Sequence, residues 1–363
     1  MVRVRELSVL LAGGGTGGHL YPGIAVAREL MARAPGARVT FVGTAAGIEA
    51  RVIPREGFSL ELIRSAGIKG KSLLGRLRGA ALVPLSALDA AAVLSRTKPA
   101  VVIGVGGYSS GPVVALAALR GTPTLLLEQN AMPGLTNRLL ARMVRAAAVT
   151  YDDSLPHFVG RGFIAGNPVR PEFFQEAYES HGSPPAAARI LVFGGSQGAH
   201  AINVAMVEAA PRLAAASGLE ITHQTGERDL EMVRDGYRRA GLEARVEPFL
   251  FAMDREMKAA DLVVCRAGAT TLAELMASGR ASLLIPLPTA TDHHQRKNAQ
   301  ALVTHGAARL LEQKDLTGER LAQDMLALAG DHSARAAMGN AARRMARPDA
   351  ARLIVDRVLA LAG

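Results

Sequence analysis

The sequence predicts an α/β protein built on two doubly wound parallel sheets, and three observations carry that prediction. Short β-branched or Leu-rich runs alternate with longer Ala/Leu/Arg stretches of helical period, the order expected of parallel strands joined by crossover helices. The length of 363 residues suits about two domains, each with its own core. A strand running into a Gly-Gly-Thr/Ser-x-Gly turn occurs across Ser8–Gly18 (SVLLAGGGTGG) and again, about 180 residues later, across Arg189–Gly198 (RILVFGGSQG). Two Rossmann-like domains facing each other would bring both turns, at the carboxyl ends of their strands, to an interdomain cleft.

In the first half, strands are expected at Ser8–Ala12, Arg38–Val42, Val101–Val105, Thr124–Leu127 and Ala147–Thr150, with helices at Pro22–Arg33, Pro112–Arg120 and Leu135–Val144. In the second half, strands are expected at Arg189–Phe193, around His223 and Val246, and at Leu262–Cys265 and Ser282–Pro286. Helices are expected there at Ala201–Ala216, Thr271–Ser278 and His294–His305. The Ser-His-Gly-Ser-Pro-Pro cluster within Glu179–Ala188 reads as an exposed connecting segment near the domain boundary.

The formal charge of +10 calls for an anionic partner: nucleotide, nucleic acid or lipid surface. With no Trp, five Tyr and nine Phe, and no basic run interleaved with aromatics, nucleic acid is disfavoured. The lone Cys265 can close no intrachain bridge and reads as a small buried hydrophobe. The apolar run Leu7–Ala12 is too short for a secretory segment. Ala80–Leu94, interrupted by Pro84, Ser86 and Asp89, falls short of the roughly 18 apolar residues of a spanning helix. Membrane contact, if made, would be peripheral.

Gly13–His19 contains a G-x-G-x-x-G pattern between a strand and a helix, where glycines admit a phosphate and the helix start supplies N–H groups. A dinucleotide site also needs an acid at the end of the second strand. None stands there, and Glu49 comes too late, so a dehydrogenase is disfavoured. His19, in the first turn of the helix, reads either as a polar cap or as a general base kept neutral by the positive helix end. A third turn, Gly104–Pro112, repeats the strand-to-helix context. It could serve a second phosphate-bearing ligand or be a structural tight turn.

Arg266–Glu274 opens a further helix after a strand. Thr271 and Glu274 fit a capping box, or the helix start receives a diphosphate while Glu274 accepts from a ribose diol. Asp292, His293 and His294 lack a third group at helical spacing, which argues against a metal site. The chain carries no Asp-x-Asp element for a metal-dependent sugar nucleotide, so helix starts would stabilise a departing phosphate. Ile68–Leu82 mixes apolar residues with Lys69, Lys71, Arg76 and Arg78, suiting an anionic membrane surface or an ordinary surface helix.

Taken together, Gly14–His19 with Pro22, Gly106–Pro112, Glu128-Gln129-Asn130, Gly166–Arg170, Gly194–Ala199 and Asp292–Ala299 resemble the bacterial MurG family over essentially the whole chain. The resemblance implies a glycosyltransferase B fold. Residues 1–166 would bind acceptor and membrane, residues 167–346 would bind UDP-GlcNAc, and a last helix in 347–363 would pack back on the first domain. It implies metal-independent, inverting transfer of GlcNAc, without a cofactor, to the C4 hydroxyl of MurNAc in undecaprenyl-pyrophosphoryl-MurNAc-pentapeptide (lipid I). The product would be lipid II for peptidoglycan synthesis, made by a peripheral enzyme on the cytoplasmic face of the cell membrane.

By the same resemblance, Leu250 would contact uracil and Glu274 the ribose. Ser196 with Ala269, Thr270 and Thr271 would hold the diphosphate. Asn130, Arg170, His294 and Gln295 would surround the sugar and phosphates, with Asn203 nearby. Thr16, Gly17, Gly18 and Tyr108, in the two glycine turns of the first domain, would hold the acceptor pyrophosphate. His19 is the first candidate base and Glu128 the second. Two positions depart from relatives: Leu127 stands where many carry His, and His294 where some carry Gln. Another UDP-sugar transferase of this fold, acting on a different lipid or glycan, is the alternative.

Overall fold

The computed structural model describes residues 7–65, 82–175, 187–195 and 197–363. It divides into two compact units, Met1–Val169 with Arg347–Gly363, and Arg170–Ala346.

The first unit holds a seven-stranded parallel sheet in the order β3-β2-β1-β4-β5-β6-β7. Its strands are β1 (Ser8–Gly13), β2 (Arg38–Gly43), β3 (Ser59–Leu62), β4 (Val101–Gly106), β5 (Thr124–Glu128), β6 (Ala146–Val149) and β7 (Gly162–Ile164). Strands β1, β4, β5 and β6 are buried along their whole length, because helices cover both faces of a parallel sheet and leave no side for water. The helix Gly17–Arg33 starts earlier than Pro22, with the proline inside it. Its two leading glycines are poor helix formers and hide the start from sequence periodicity.

The closing helix Ala350–Ala362 buries Ile354, Val355 and Val358 in the same core as Val9, Leu11 and Ile103. Arg33 pairs with Asp356 at 2.7 Å. The helix thus completes the first unit although it follows the second in sequence.

The second unit is a six-stranded parallel sheet in the order β10-β9-β8-β11-β12-β13. It comprises β8 (Ala188–Phe193), β9 (Leu219–Gln224), β10 (Ala244–Glu247), β11 (Leu262–Cys265), β12 (Ala281–Leu284) and β13 (Arg309–Leu310). Its core joins Val192, Val264 and Leu283 of the sheet to Ile202, Met206 and Ala209 of helix His200–Ala214. Cys265 is fully buried. Most of the Ser-His-Gly-Ser-Pro-Pro segment and residues 68–81 of the basic apolar stretch lie outside the described residues.

Candidate active site

Each sheet reverses its strand order once, between β1 and β4 and between β8 and β11. Open α/β sheets bind ligands at such a reversal, beyond the carboxyl ends of the strands. In the first unit both strands end in glycine turns. Gly13, Gly14, Gly15, Gly106 and Gly107 all have φ between 83° and 148°, a region that excludes most side chains. The turns are locked together, because Gly14 N–H donates to the Gly106 carbonyl at 3.1 Å and a Cβ on Gly107 would strike the Gly14 carbonyl.

The β1 turn delivers Thr16, exposed and in the N-cap position, then the half-buried Gly17, Gly18 and His19 of the first helical turn. The Thr16 carbonyl accepts from the His19 and Leu20 N–H groups, each at 3.2 Å. His19 Nδ1 lies 3.2 Å from Gln129 Oε1, and Gln129 Nε2 donates to the Val105 carbonyl at 3.1 Å. A carbonyl can only accept, so it fixes the amide orientation and makes His19 Nδ1 the donor. In neutral imidazole the basic lone pair is then on Nε2. Tyr108, exposed after the second turn, accepts at its carbonyl from the Ser65 hydroxyl at 3.1 Å.

Glu128, expected as the second candidate base, is corrected to a positioning group. It is buried and both oxygens are occupied. Oε1 accepts from Asn130 N–H (2.9 Å) and Nδ2 (3.2 Å), and Oε2 from Gly134 N–H (3.0 Å) and Asn137 Nδ2 (2.8 Å). Burial raises its pKa, opposed by those hydrogen bonds. The carboxylate shapes the segment carrying Asn130, which is half-buried.

A residue without an assigned role in the sequence reading also enters this site. Glu49 turns back to the β1 turn, where Oε2 accepts from Gly15 N–H at 2.8 Å; Oε1 accepts from Thr44 N–H at 2.8 Å and its hydroxyl at 3.0 Å. No pattern within its own segment announces this, since the first donor is 34 residues away.

In the second unit, Gly195 and Gly198 of the β8 turn have φ of 98° and 75°. A Cβ on Gly198 would strike the Thr225 carbonyl, and Gln224 Nε2 donates to the Gly195 carbonyl at 2.8 Å. Ser196 lies outside the described residues.

Asn203, expected near the sugar, is a buried strut by its hydrogen bonds. Its Nδ2 donates to the Thr225 carbonyl (2.9 Å) and Asp229 Oδ2 (2.8 Å), and its Oδ1 lies 3.1 Å from His223 Nε2. That assignment makes His223 Nε2 a donor and Nδ1 the acceptor of the Tyr237 hydroxyl at 2.7 Å. Burial keeps His223 neutral, its pKa pushed down to about 3. Asn203→Ala strands the Thr225 carbonyl and His223 Nε2, while Asp229 Oδ2 keeps His200 Nδ1 at 3.0 Å, and urea unfolding should register a loss of about 2 kcal/mol; an unchanged midpoint would contradict the strut role.

Arg266, after β11, is buried and donates to the carbonyls of Ile285 (3.0 Å) and Pro286 (3.2 Å), with burial lowering its pKa. The helix Ala269–Ser278 follows, with Gly268 at its N-cap. Thr271 is therefore inside the helix, and the capping-box reading of Thr271 and Glu274 is overturned. Ala269, Thr270, Thr271 and Glu274 are half-buried. Burial pushes the Glu274 pKa up to about 7, with exposed Arg170 opposing and Asp254 reinforcing the shift. Arg170 also lies over the Phe173 ring at 5.0 Å.

Leu250 anchors its segment with a buried side chain between the exposed Phe249 and Phe251, whose rings meet edge to face at 4.9 Å. Asp292 and His293 occupy left-handed backbone, φ 54° and 53°, immediately before the helix His294–Thr304. His294 is half-buried, and Gln295 Oε1 accepts from Leu287 N–H at 2.9 Å, so this oxygen ties the helix start to the strand β12 exit. Among the described residues no three His, Cys, Asp or Glu side chains gather as a metal site.

Residues 9–149 match the glycosyltransferase family 28 N-terminal domain and residues 189–354 its C-terminal domain. A Pelobacter propionicus protein named UDP-N-acetylglucosamine–N-acetylmuramyl-(pentapeptide) pyrophosphoryl-undecaprenol N-acetylglucosamine transferase is 49% identical, over 97% of this chain and 99% of that protein. The chain belongs to the MurG family. A Geobacter sulfurreducens protein of the same name is 45% identical over 98% of both chains. The crystal structure of Acinetobacter baumannii MurG matches with a TM-score of 0.80 and 30% identity, covering 98% of this chain and 99% of that one. The chain is thus a family 28 glycosyltransferase with two Rossmann-like domains of the glycosyltransferase B class. In MurG terms, the first glycine pair and His19 belong to its N-terminal domain. The β8 turn, the Ala269 helix start and Glu274 belong to its C-terminal domain.

Proposed function

We propose that this chain transfers GlcNAc from UDP-GlcNAc to the C4 hydroxyl of MurNAc in undecaprenyl-pyrophosphoryl-MurNAc-pentapeptide. The observation that carries the chemistry is His19, held by two interlocked glycine turns with Nδ1 on Gln129. Nε2 takes the C4 proton as that oxygen bonds to the anomeric carbon. The bond from the anomeric carbon to the phosphate oxygen breaks on the opposite side, giving inversion, a β-1,4 linkage and UDP. The Ala269 helix start and the β8 turn bind the departing diphosphate through backbone N–H groups, and Glu274 accepts from the ribose diol. Residues 1–166 bind the acceptor and residues 167–346 the donor.

The enzyme works as a peripheral protein on the cytoplasmic membrane face, with the positive charge directed to phosphates and anionic lipid rather than nucleic acid. Support comes from Leu119 and Leu139, which are 75% and 70% exposed near Arg120, Arg138 and Arg142 in sequence. The adjoining helices Ser110–Leu119 and Leu135–Leu140 carry the two leucines. Exposed apolar side chains on adjoining helices, with the exposed Arg142 close by in sequence, fit a lipid interface. No described helix is long and apolar enough to cross a membrane.

The test is transfer of labelled GlcNAc from UDP-GlcNAc to a lipid I analogue in vesicles, with EDTA present. Product with a β-1,4 linkage is expected. Turnover of UDP-GlcNAc only onto another lipid or glycan would redirect the reading to a different acceptor.

A further inference from the structure

We infer that Glu49 is the positioning residue that sets the geometry of the acceptor turn, and through it of His19; this rests on the function proposed above. Glu49 is 1% exposed, and three protein donors, the Gly15 and Thr44 N–H groups and the Thr44 hydroxyl, hold its carboxylate. Space for it is made by glycine. A Cβ at Gly14, Gly43 or Gly47 would run into the Glu49 side chain, so three glycines from two separate loops form its cradle.

The connection to chemistry is short. Glu49 pins Gly15, which has φ of 85° and immediately precedes Thr16. Thr16 in turn starts the helix and receives the His19 N–H. On the other side, Gly14 is tied to Gly106, and a Cβ on Gly106 would press on the His19 ring. The turn is therefore clamped by Glu49 from the β2 side and by Gly106 from the β4 side, and the imidazole emerges between the clamps. The Gly15 N–H is spent on Glu49, so the acceptor pyrophosphate must draw on other donors of this turn. The same contact removes the acid that a dinucleotide ribose would require.

Glu49→Gln is the discriminating variant. An amide still accepts from Thr44, but it presents Nε2 to Gly15 N–H, donor against donor. Amide exchange in residues 13–20 should accelerate at least about 10-fold. The kcat/KM for the lipid I analogue should fall about 100-fold, with KM for UDP-GlcNAc and UDP affinity within about twofold. In a His19→Ala background the same change should cost less than about threefold, because neighbours acting through one group are not additive. Unchanged exchange and acceptor kinetics in folded Glu49→Gln, or equal losses in both backgrounds, overturn the inference. If Glu49→Gln does not fold, Thr44→Val removes one donor and should give a smaller loss of the same acceptor-selective kind; a loss shared with the donor KM overturns it. A wild type that transfers no GlcNAc refutes the function reading, and the exchange measurement still decides whether Glu49 holds the turn.

Discussion

His19→Ala is expected to lower GlcNAc transfer by about 10²–10⁴-fold, the usual contribution of a positioned general base, while UDP affinity stays within about twofold. The separation follows from the topology: His19 is on the β1 turn of the first unit, and the groups proposed to bind the nucleotide follow β8 and β11 of the second. The hydrogen bond from Nδ1 to Gln129 specifies more than proximity, since it presents Nε2 as the accepting nitrogen. His19→Gln should therefore remain as impaired as alanine, because an amide oxygen is a poor proton acceptor. The measurement is kcat at saturating donor and acceptor, with UDP binding by calorimetry on the same samples. Full kcat in the alanine variant would remove His19 from the chemistry, and the saturated Glu128 could not take its place without giving up hydrogen bonds to Asn130, Gly134 or Asn137.

Glu274→Gln should weaken UDP-GlcNAc binding and strengthen the fold, with opposite consequences from one carboxylate. Burial lifts its pKa to about 7, so between the ordinary carboxylate range and pH 7 the folded protein holds a proton that the unfolded chain has released. Wild-type stability therefore falls as pH rises through that window. At pH 8, Gln removes a penalty of at most about 3 kcal/mol; at pH 4 it removes almost none. Thermal melts at both pH values check the sign, and a larger gain at pH 4 would refute it. For the ligand, an ionised carboxylate accepting from a diol contributes about 1.5–3 kcal/mol, so Gln should cost about 10- to 100-fold in affinity. Wild-type affinity should weaken as pH drops below about 7. UDP-GlcNAc has no phosphate proton that titrates in this window, so the dependence reports on the protein. Calorimetric titrations at three pH values would show a flat profile if Glu274 does not face the ribose.

The central strands were legible because a parallel strand covered on both faces is mostly apolar: every residue of β1, β4 and β5 is buried, and each strand is built around a buried run without charge, Val9–Ala12, Val101–Val105 and Leu125–Leu127. The edge strands β3 and β7 and the two-residue β13 are partly exposed. They carry no such run and escaped the sequence reading. The short helices Glu49–Arg55 and Met253–Ala259 are likewise too brief for helical periodicity to stand out.

At the site the division is similar. Sequence alone located the glycine turns, with His19 and the Ala269 helix start beside them, because a tight strand-to-helix turn with positive φ needs glycine locally. It could not say which polar side chains face a ligand. Glu128 and Asn203 carry the right chemistry, yet their hydrogen-bonding atoms are consumed inside the protein, while Glu49, set aside on spacing, grips the turn that presents His19. The physical reason is reach: backbone conformation is decided by neighbouring residues, whereas the partner that occupies a carboxylate or orients an imidazole comes from wherever the fold brings it. For Glu49 and Gly15 that separation is 34 residues, and for His19 and Gln129 it is 110.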